Sequence, residues 1–151
     1  MPSGIEWTEN LCTGIAVIDR QHKTFFKLTN DLLEGSENDK KLILKAFDFL
    51  KNYILEHFGL EEKLMGKYSY ADMKQHKAFH DNFIAELDKL EPRLQEESLE
   101  PVFLRLNYLV VNWFVNHIRT KDRKLASFLE AEALKDKSVD AVLRRLHENS
   151  N

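Results

Sequence analysis

Cysteine is almost missing from this chain. Cys12 stands alone, so no intramolecular disulfide can staple the fold, and a reducing compartment is the expected setting. Glycine and proline are scarce, at five and three residues in 151. That excludes collagen-like, linker-like and low-complexity classes, and also turn-rich β-sandwiches, which need turn residues roughly every 8–12 positions. An excess of positive charge is lacking too. The 22 basic residues face 25 acidic ones, for a formal net charge of −3, which excludes the basic surface on which nucleic-acid affinity rests. No long hydrophobic run exists. The most apolar stretch, Tyr108 to Val115, is interrupted by Asn112 and followed by His117, Arg119, Lys121 and Asp122. It falls far short of the ~20 apolar residues that a membrane span needs. The first residues, Met1 to Glu6, carry neither the basic nor the apolar segment of a signal peptide. The expectation is a cytoplasmic protein without membrane insertion or a nucleic-acid partner.

What is present is helical periodicity. The chain is 43% hydrophobic and 31% charged, enough of both for one packed domain under a solvated surface. Residues 1–17, with Gly4 and Gly14 and no clean period, read as an extended N-terminal arm. Segment A, about Ile18 to Glu34, places Ile18, Phe25, Leu28 and Leu32 at three- and four-residue steps and stops at Gly35. Ser36 with Asp39 resembles a capping box that opens segment B, about Glu37 to Met65. Ser69 with Asp72 is a similar start for segment C, which ends near Pro92. Pro101 suits the first turn of segment D, about Glu100 to Leu129. A weaker amphipathic piece, Val139 to Leu146, closes the chain. The expected fold is all-α: an up-down-up-down four-helix bundle over 18–129, with a short C-terminal helix in 130–151. No internal repeat and no linker for a second domain is visible, so 1–151 reads as a single domain.

The informative feature is where the histidines fall. On segment B the apolar seam of Ile43, Phe47, Leu50 and Ile54 continues into His57 and Glu61; on segment C, Met73 is followed by His76, His80 and Phe83. His117 extends the segment D seam of Leu106, Leu109 or Val110, and Trp113, and His22 lies on the segment A stripe. Five of the six histidines and one glutamate therefore occupy positions that should face the interior. Leaving each buried without a partner would cost about 1–3 kcal/mol, a sum that rivals the stability of a small domain. A transition metal is the natural compensation, because neutral imidazole and carboxylate are its usual ligands. His57 with Glu61, and His76 with His80, are i,i+4 pairs that leave one helix face about 6 Å apart along the axis. His117 and Asp122 are i,i+5, which an ideal α-helix would splay by about 140°. Either a π-type turn widens the helix there, or Asp122 reaches in from the flank. Five imidazoles and two carboxylates exceed one tetrahedral zinc and suit two metals that share bridging carboxylates. The identity of the metals does not follow from the count.

The ordered pattern His22 … His57-Phe58-Gly59-Leu60-Glu61 … His76-Lys77-Ala78-Phe79-His80 … His117-Ile118-Arg119-Thr120-Lys121-Asp122 resembles the hemerythrin family, in particular its bacterial single-domain members. Trp7, Gly14-Ile15, Ile18-Asp19-Arg20-Gln21-His22 and Trp113 add to the likeness, which spans Trp7 to Phe128. The resemblance implies a non-haem di-iron centre with an oxo or hydroxo bridge. It implies one iron on His76, His80 and His117, the other on His22 and His57, and Glu61 and Asp122 across both. The second iron is then one ligand short, and the implied function is reversible O2 binding there, for oxygen storage, transport or delivery. Phe25, Phe58, Trp113, Phe114 and Ile118 are the expected lining of that pocket, keeping water and protons out. No catalytic residue is assigned. The histidine-rich set separates the site from ferritin-like di-iron oxidases, which use mostly carboxylates.

Two alternative functions use the same centre: an O2 or redox sensor acting through a separate partner, and a peroxide- or nitric-oxide-reducing enzyme. Sensor members are typically fused to signalling domains, for which 151 residues leave no room. Other polar and aromatic residues take blander roles. His147 reads as a surface residue, Glu62, Glu56 and Asp81 as solvent-side charges, and Cys12 as inert. Phe26, Phe47, Phe49 and Phe83 read as core or helix contacts. Gly59 inside segment B, costing ~1 kcal/mol against Ala, suggests close packing or an access route.

Overall fold

The computed structural model describes residues 7–34 and 39–149, apart from the side chains of residues 28, 32 and 33. Every regular element among them is helical. After a single 3₁₀ turn, Glu9–Leu11, come α1 (Ala16–Glu34), α2 (Lys40–Lys67) and α3 (Met73–Leu90). A fourth rod is composite. It runs through α4 (Glu100–Tyr108), a π-helical stretch (Leu109–Phe114), α5 (Val115–His117), a second π-helical stretch (Ile118–Asp122) and α6 (Arg123–Lys135). Then α7 (Lys137–Glu148) packs back on α1 and α6.

Local chemistry sets the ends of the rods. At the start of α1 the Asp19 carboxylate accepts hydrogen bonds from Thr13 N (2.8 Å), Thr13 Oγ1 (2.8 Å) and Gly14 N (3.2 Å). Gly14 turns there with φ +91°, and a Cβ at that position would collide with the Glu130 carboxylate. Asp39 caps α2 by accepting from Leu42 N at 3.1 Å, so it is the N-cap itself. Its expected partner Ser36 and the Gly35 stop lie outside the described residues, as do the side chains of Leu28 and Leu32. Ser69 does not cap α3. It takes a left-handed turn at φ 53° between α2 and α3, and Asp72 precedes α3 without a side-chain cap. Pro92 sits in a 3₁₀ turn after α3, and Pro101 is in the first turn of α4.

The interior consists of two apolar clusters with a polar band between them. One holds Phe25, Phe26, Ile43 to Phe58, Phe83 to Leu90 and Val102 to Ile118; the other holds Val17, Ile18, Leu64, Met65, Tyr70, Leu125 to Leu129, Val139 and Leu143. Going along α1 the chain leaves the second cluster for the first, and along α2 it returns. It crosses again along α3, and the fourth rod comes back. That alternation is the up-down-up-down topology. On each rod the residues at the crossing are polar: His22, Glu61, His76 with His80, and Asp122. The short α7 adds Val139 and Leu143 to the second cluster, so it seals the end of the bundle nearest the arm's entry to α1.

Three expectations need correction here. Phe49 is 53% exposed, on the outer face of α2, and is not a core residue. His147 is half-buried, with its backbone carbonyl accepting from Arg20 at 3.3 Å. Gly59 is exposed and a Cβ there would meet nothing within 4 Å, so close packing does not explain it. Gly59→Ala should therefore stabilise the protein, by about 0.5–1 kcal/mol, because it removes backbone freedom from the unfolded chain without a clash. Thermal or denaturant melting checks this; a lower midpoint would reveal a role for the glycine that its open surroundings do not show.

Candidate metal centre

The fourth rod decides whether the site can assemble. Its two π-helical stretches each bring residues five apart onto one face. The second stretch turns Asp122 inward beside His117, with Nε2 of His117 3.0 Å from Oδ1 of Asp122. The π-type turn is thus the correct one of the two alternatives for that i,i+5 pair. The first stretch was not foreseen. It carries the buried seam from Leu109 to Phe114, and it leaves Trp113 half-buried.

All seven residues singled out by spacing meet in the polar band, none more than 3% exposed. Nε2 of His22 lies 2.8 Å from Oδ2 of Asp122 and 3.1 Å from Nε2 of His57. Nε2 of His57 is 3.5 Å from Oδ2 of Asp122 and 3.6 Å from Oε1 of Glu61. On the other side, Oε1 of Glu61 is 3.1 Å from Nε2 of His80 and 3.5 Å from that of His76, while Oδ1 of Asp122 is 3.2 Å from His76. Two groups of donor atoms result, each within 4.8 Å of one another: Glu61, His76, His80, His117 and Asp122, and His22, His57 and Asp122. Asp122 belongs to both, one oxygen facing each side.

The atoms of the larger group fit a cation rather than a hydrogen-bond network. Both Glu61 oxygens, Oδ1 of Asp122 and Nε2 of His76, His80 and His117 are buried without a hydrogen-bond partner. Buried polar atoms are normally satisfied, so lone pairs aimed at one another call for a positive charge between them. Burial and the Asp122 charge push the Glu61 carboxyl up, but His57, His76 and His80 together hold it below the usual carboxylate range. Burial opposes ionisation of Asp122 as well, and the surrounding imidazoles, His117 foremost, keep it well below that range. Burial pulls His76 down, yet the two carboxylates reverse this and raise it to about 9. His57 is raised by the same balance, whereas for His117 burial wins and the shift is downward.

Two further residues touch these imidazoles from outside. Oε1 of Gln21 lies 2.6 Å from Nδ1 of His57, and Oε2 of Glu62 lies 3.0 Å from Nδ1 of His80. Glu62, whose i,i+5 spacing from His57 suggests a solvent-side charge, instead reaches His80. The signal that could have found both is chemical: a ligating imidazole needs an acceptor on its other nitrogen. Glu56 and Asp81 are exposed, as expected. Cys12 is half-buried and burial raises its thiol pKa, which suits an unreactive residue.

Aromatic rings wall the band on its first-cluster side. Phe114 stands 6.1 Å, centroid to centroid, from both His22 and His57, with Phe25 stacked behind it at 4.0 Å. Phe58 lies flat on His80 at 3.9 Å and an interplanar angle of 7°. Ile118 is fully buried in the same cluster. Trp113 stacks on His117 at 5.0 Å, so it lies on the opposite side of the band from the His22–His57 pair. Trp7 in the arm comes within 6.4 Å of the His22 ring. No helix among the described residues is long and apolar enough to cross a membrane.

Comparisons with known proteins agree with this geometry. A bacteriohemerythrin of Pseudomonas aeruginosa is 34% identical over 146 residues, covering 92% of each chain. A bacteriohemerythrin of Methylococcus capsulatus is 33% identical over 120 residues, or 79% of this chain and 91% of the relative. A hemerythrin-like protein of Naegleria gruberi is 28% identical over 85% of this chain and 97% of its own. The crystal structure of a hemerythrin point mutant superposes with a TM-score of 0.74 at 30% identity, covering 84% of this chain and 97% of that one. The family model described as the hemerythrin HHE cation binding domain matches residues 13–129, and the chain belongs to the hemerythrin family.

Proposed function

We propose that the chain holds two iron ions in the polar band and binds O2 there reversibly, storing, carrying or delivering it. The observation that carries this reading is the convergence of buried imidazole and carboxylate atoms from four rods, with those of Glu61, His76, His80 and His117 and one Asp122 oxygen lacking a hydrogen-bond partner. His76, His80 and His117 would hold one ion, His22 and His57 the other. Asp122 would span both, since its two oxygens face the two sides, and Glu61 would share in the span from its place 3.6 Å from His57. When bound, a ferrous pair supplies two electrons to O2 and recovers them as O2 leaves.

The chain's own residues set the conditions. Phe114, with Phe25 behind it, closes the His22–His57 side against water, and Phe58 and Ile118 extend that apolar wall. A dry wall withholds the protons that would let reduced oxygen escape. Trp113 covers the His117 side and fixes that ring by stacking. Five neutral imidazoles also donate less charge than a carboxylate-rich set. They stabilise high-valent iron less, which favours binding over turnover of a substrate.

Purified, iron-reconstituted protein should contain two irons per chain. Its reduced form should gain a visible charge-transfer band in air and lose it when O2 is removed; irreversible conversion to the ferric form would overturn the carrier reading.

Metal uptake should also be coupled to protons. Without a metal the buried Glu61 and Asp122 carboxylates outweigh burial and raise His76 to about 9, which favours its protonated form at neutral pH. A metal must expel that proton to take Nε2, so uptake at pH 7 releases protons, and affinity rises with pH until His76 has lost its own. Indicator-dye measurements of proton release, repeated from pH 6 to above His76's pKa, check the sign. Metal uptake without any proton release would remove His76 from the ligand set.

A further inference from the structure

The two halves of the band are supported differently. On one side His80 presents Nδ1 to the Glu62 carboxylate at 3.0 Å, while Phe58 lies flat against its ring. The other Glu62 oxygen lies 3.9 Å from the Lys77 ammonium, whose closer partner is Asp81 at 2.9 Å. On the other side His57 presents Nδ1 to the Gln21 amide oxygen at 2.6 Å. Tyr53 donates to the Gln21 backbone carbonyl at 2.7 Å, so α1 and α2 are tied at that point. Its neighbour His22 has a buried Nδ1 without a partner.

Carboxylate and amide do the same positional work. Each accepts the Nδ1 hydrogen, fixes the tautomer and leaves Nε2 bare for a metal. They differ in charge. An anionic acceptor draws the Nδ1 proton toward itself and makes the imidazole a stronger donor, whereas a neutral amide does so only weakly. The donor sets are unequal in the same sense. The Glu62-supported side gathers three imidazoles and both carboxylates, and the Gln21-supported side two imidazoles and one carboxylate.

We propose that Glu62 and Gln21 are positioning residues that set the two metal subsites apart, Glu62 making the His76–His80–His117 side the tight one and Gln21 leaving the His22–His57 side the weaker and more readily emptied. The inference rests on the two-metal reading above. It means that the half-loaded protein keeps its metal on the Glu62 side. It also means that the side walled by Phe114, where the ligand set is short, holds its metal with the least support.

The test withdraws Co(II) from the loaded full-length protein with a chelator of known affinity, following the visible spectrum and the metal content. The wild-type chain should release its two ions in separate steps. Glu62→Gln keeps the hydrogen-bond acceptor and removes only its charge. It should weaken the tighter step by about 10–100-fold, closing or inverting the gap between the steps. Gln21→Glu, the complementary change, should strengthen the weaker step. Helicity and melting of the metal-free variants should match the wild type, which separates this effect from damage to the fold. Simultaneous release of both ions from the wild type, or an equal effect of Glu62→Gln on both steps, would overturn the inference and leave the two-metal reading standing. Fewer than two ions bound in the wild type would overturn that reading itself.

Discussion

Everything in this bundle answers to one constraint: seven ionisable side chains are held in a layer that water does not reach. His22, His57, Glu61, His76, His80, His117 and Asp122 are at most 3% exposed, and several of their ligand atoms have no hydrogen-bond partner. Taken singly, such burial would be among the most destabilising features a small domain can carry. It is tolerable because apolar clusters lie on both sides of it, and each fully buried Leu, Ile or Phe contributes roughly 1.5–3 kcal/mol relative to exposure. The polar layer is thin, and each rod crosses it within about one helical turn. The clusters hold the rods in register, and the register aims the side chains.

Register is also where the fourth rod departs from the others. An α-helix repeats its faces every three or four residues, so α2 and α3 deliver i,i+4 pairs with no distortion. His117 and Asp122 are five apart, and only a widened turn can put both on the inner face. A π-helical stretch is less favourable than α-helix and persists where the surroundings require it. Here the requirement is the shared carboxylate. Without the widened turn Asp122 would point along the flank, and neither group of donors would have it.

Much of this was legible in the sequence because periodicity and chemistry disagreed openly: imidazoles stood where leucines belong. That mismatch marked the seven side chains that meet in the polar band, and it left the widened turn at Asp122 as one of two alternatives. What stayed hidden were features set by neighbours that are distant in sequence or by solvent. Glu62 reads as a surface charge because it is i,i+5 from His57, and only the approach of α3 shows that it reaches His80. Gln21 was visible merely as the residue before His22, and its contact with His57 depends on the packing of α1 on α2. Phe49 has the composition of a core residue and the angular position of a solvated one. Gly59 suggested tight packing because an interior helical glycine is unfavourable, but its surroundings are open. The widened turn over Leu109–Phe114 left no mark, since apolar residues at both three- and five-residue spacing satisfy the same seam.

The asymmetry of the site follows from the same topology. Consecutive rods α2 and α3 face each other, so Glu62, next to Glu61 on α2, is within reach of an α3 histidine and lies beside the half of the band where both carboxylates gather. The α1 side has no such neighbour. Its outward contact is an amide, its inward wall is Phe114, and the arm's Trp7 comes near its remaining face. Charge is therefore concentrated on the Glu62 side, while aromatic rings flank both halves, Phe58 and Trp113 beside His80 and His117 and Phe114 beside His22 and His57. A symmetric arrangement of the same seven residues would give two equivalent groups of donors. The unequal packing of α1 and α3 against α2 is what distinguishes one half of the site from the other.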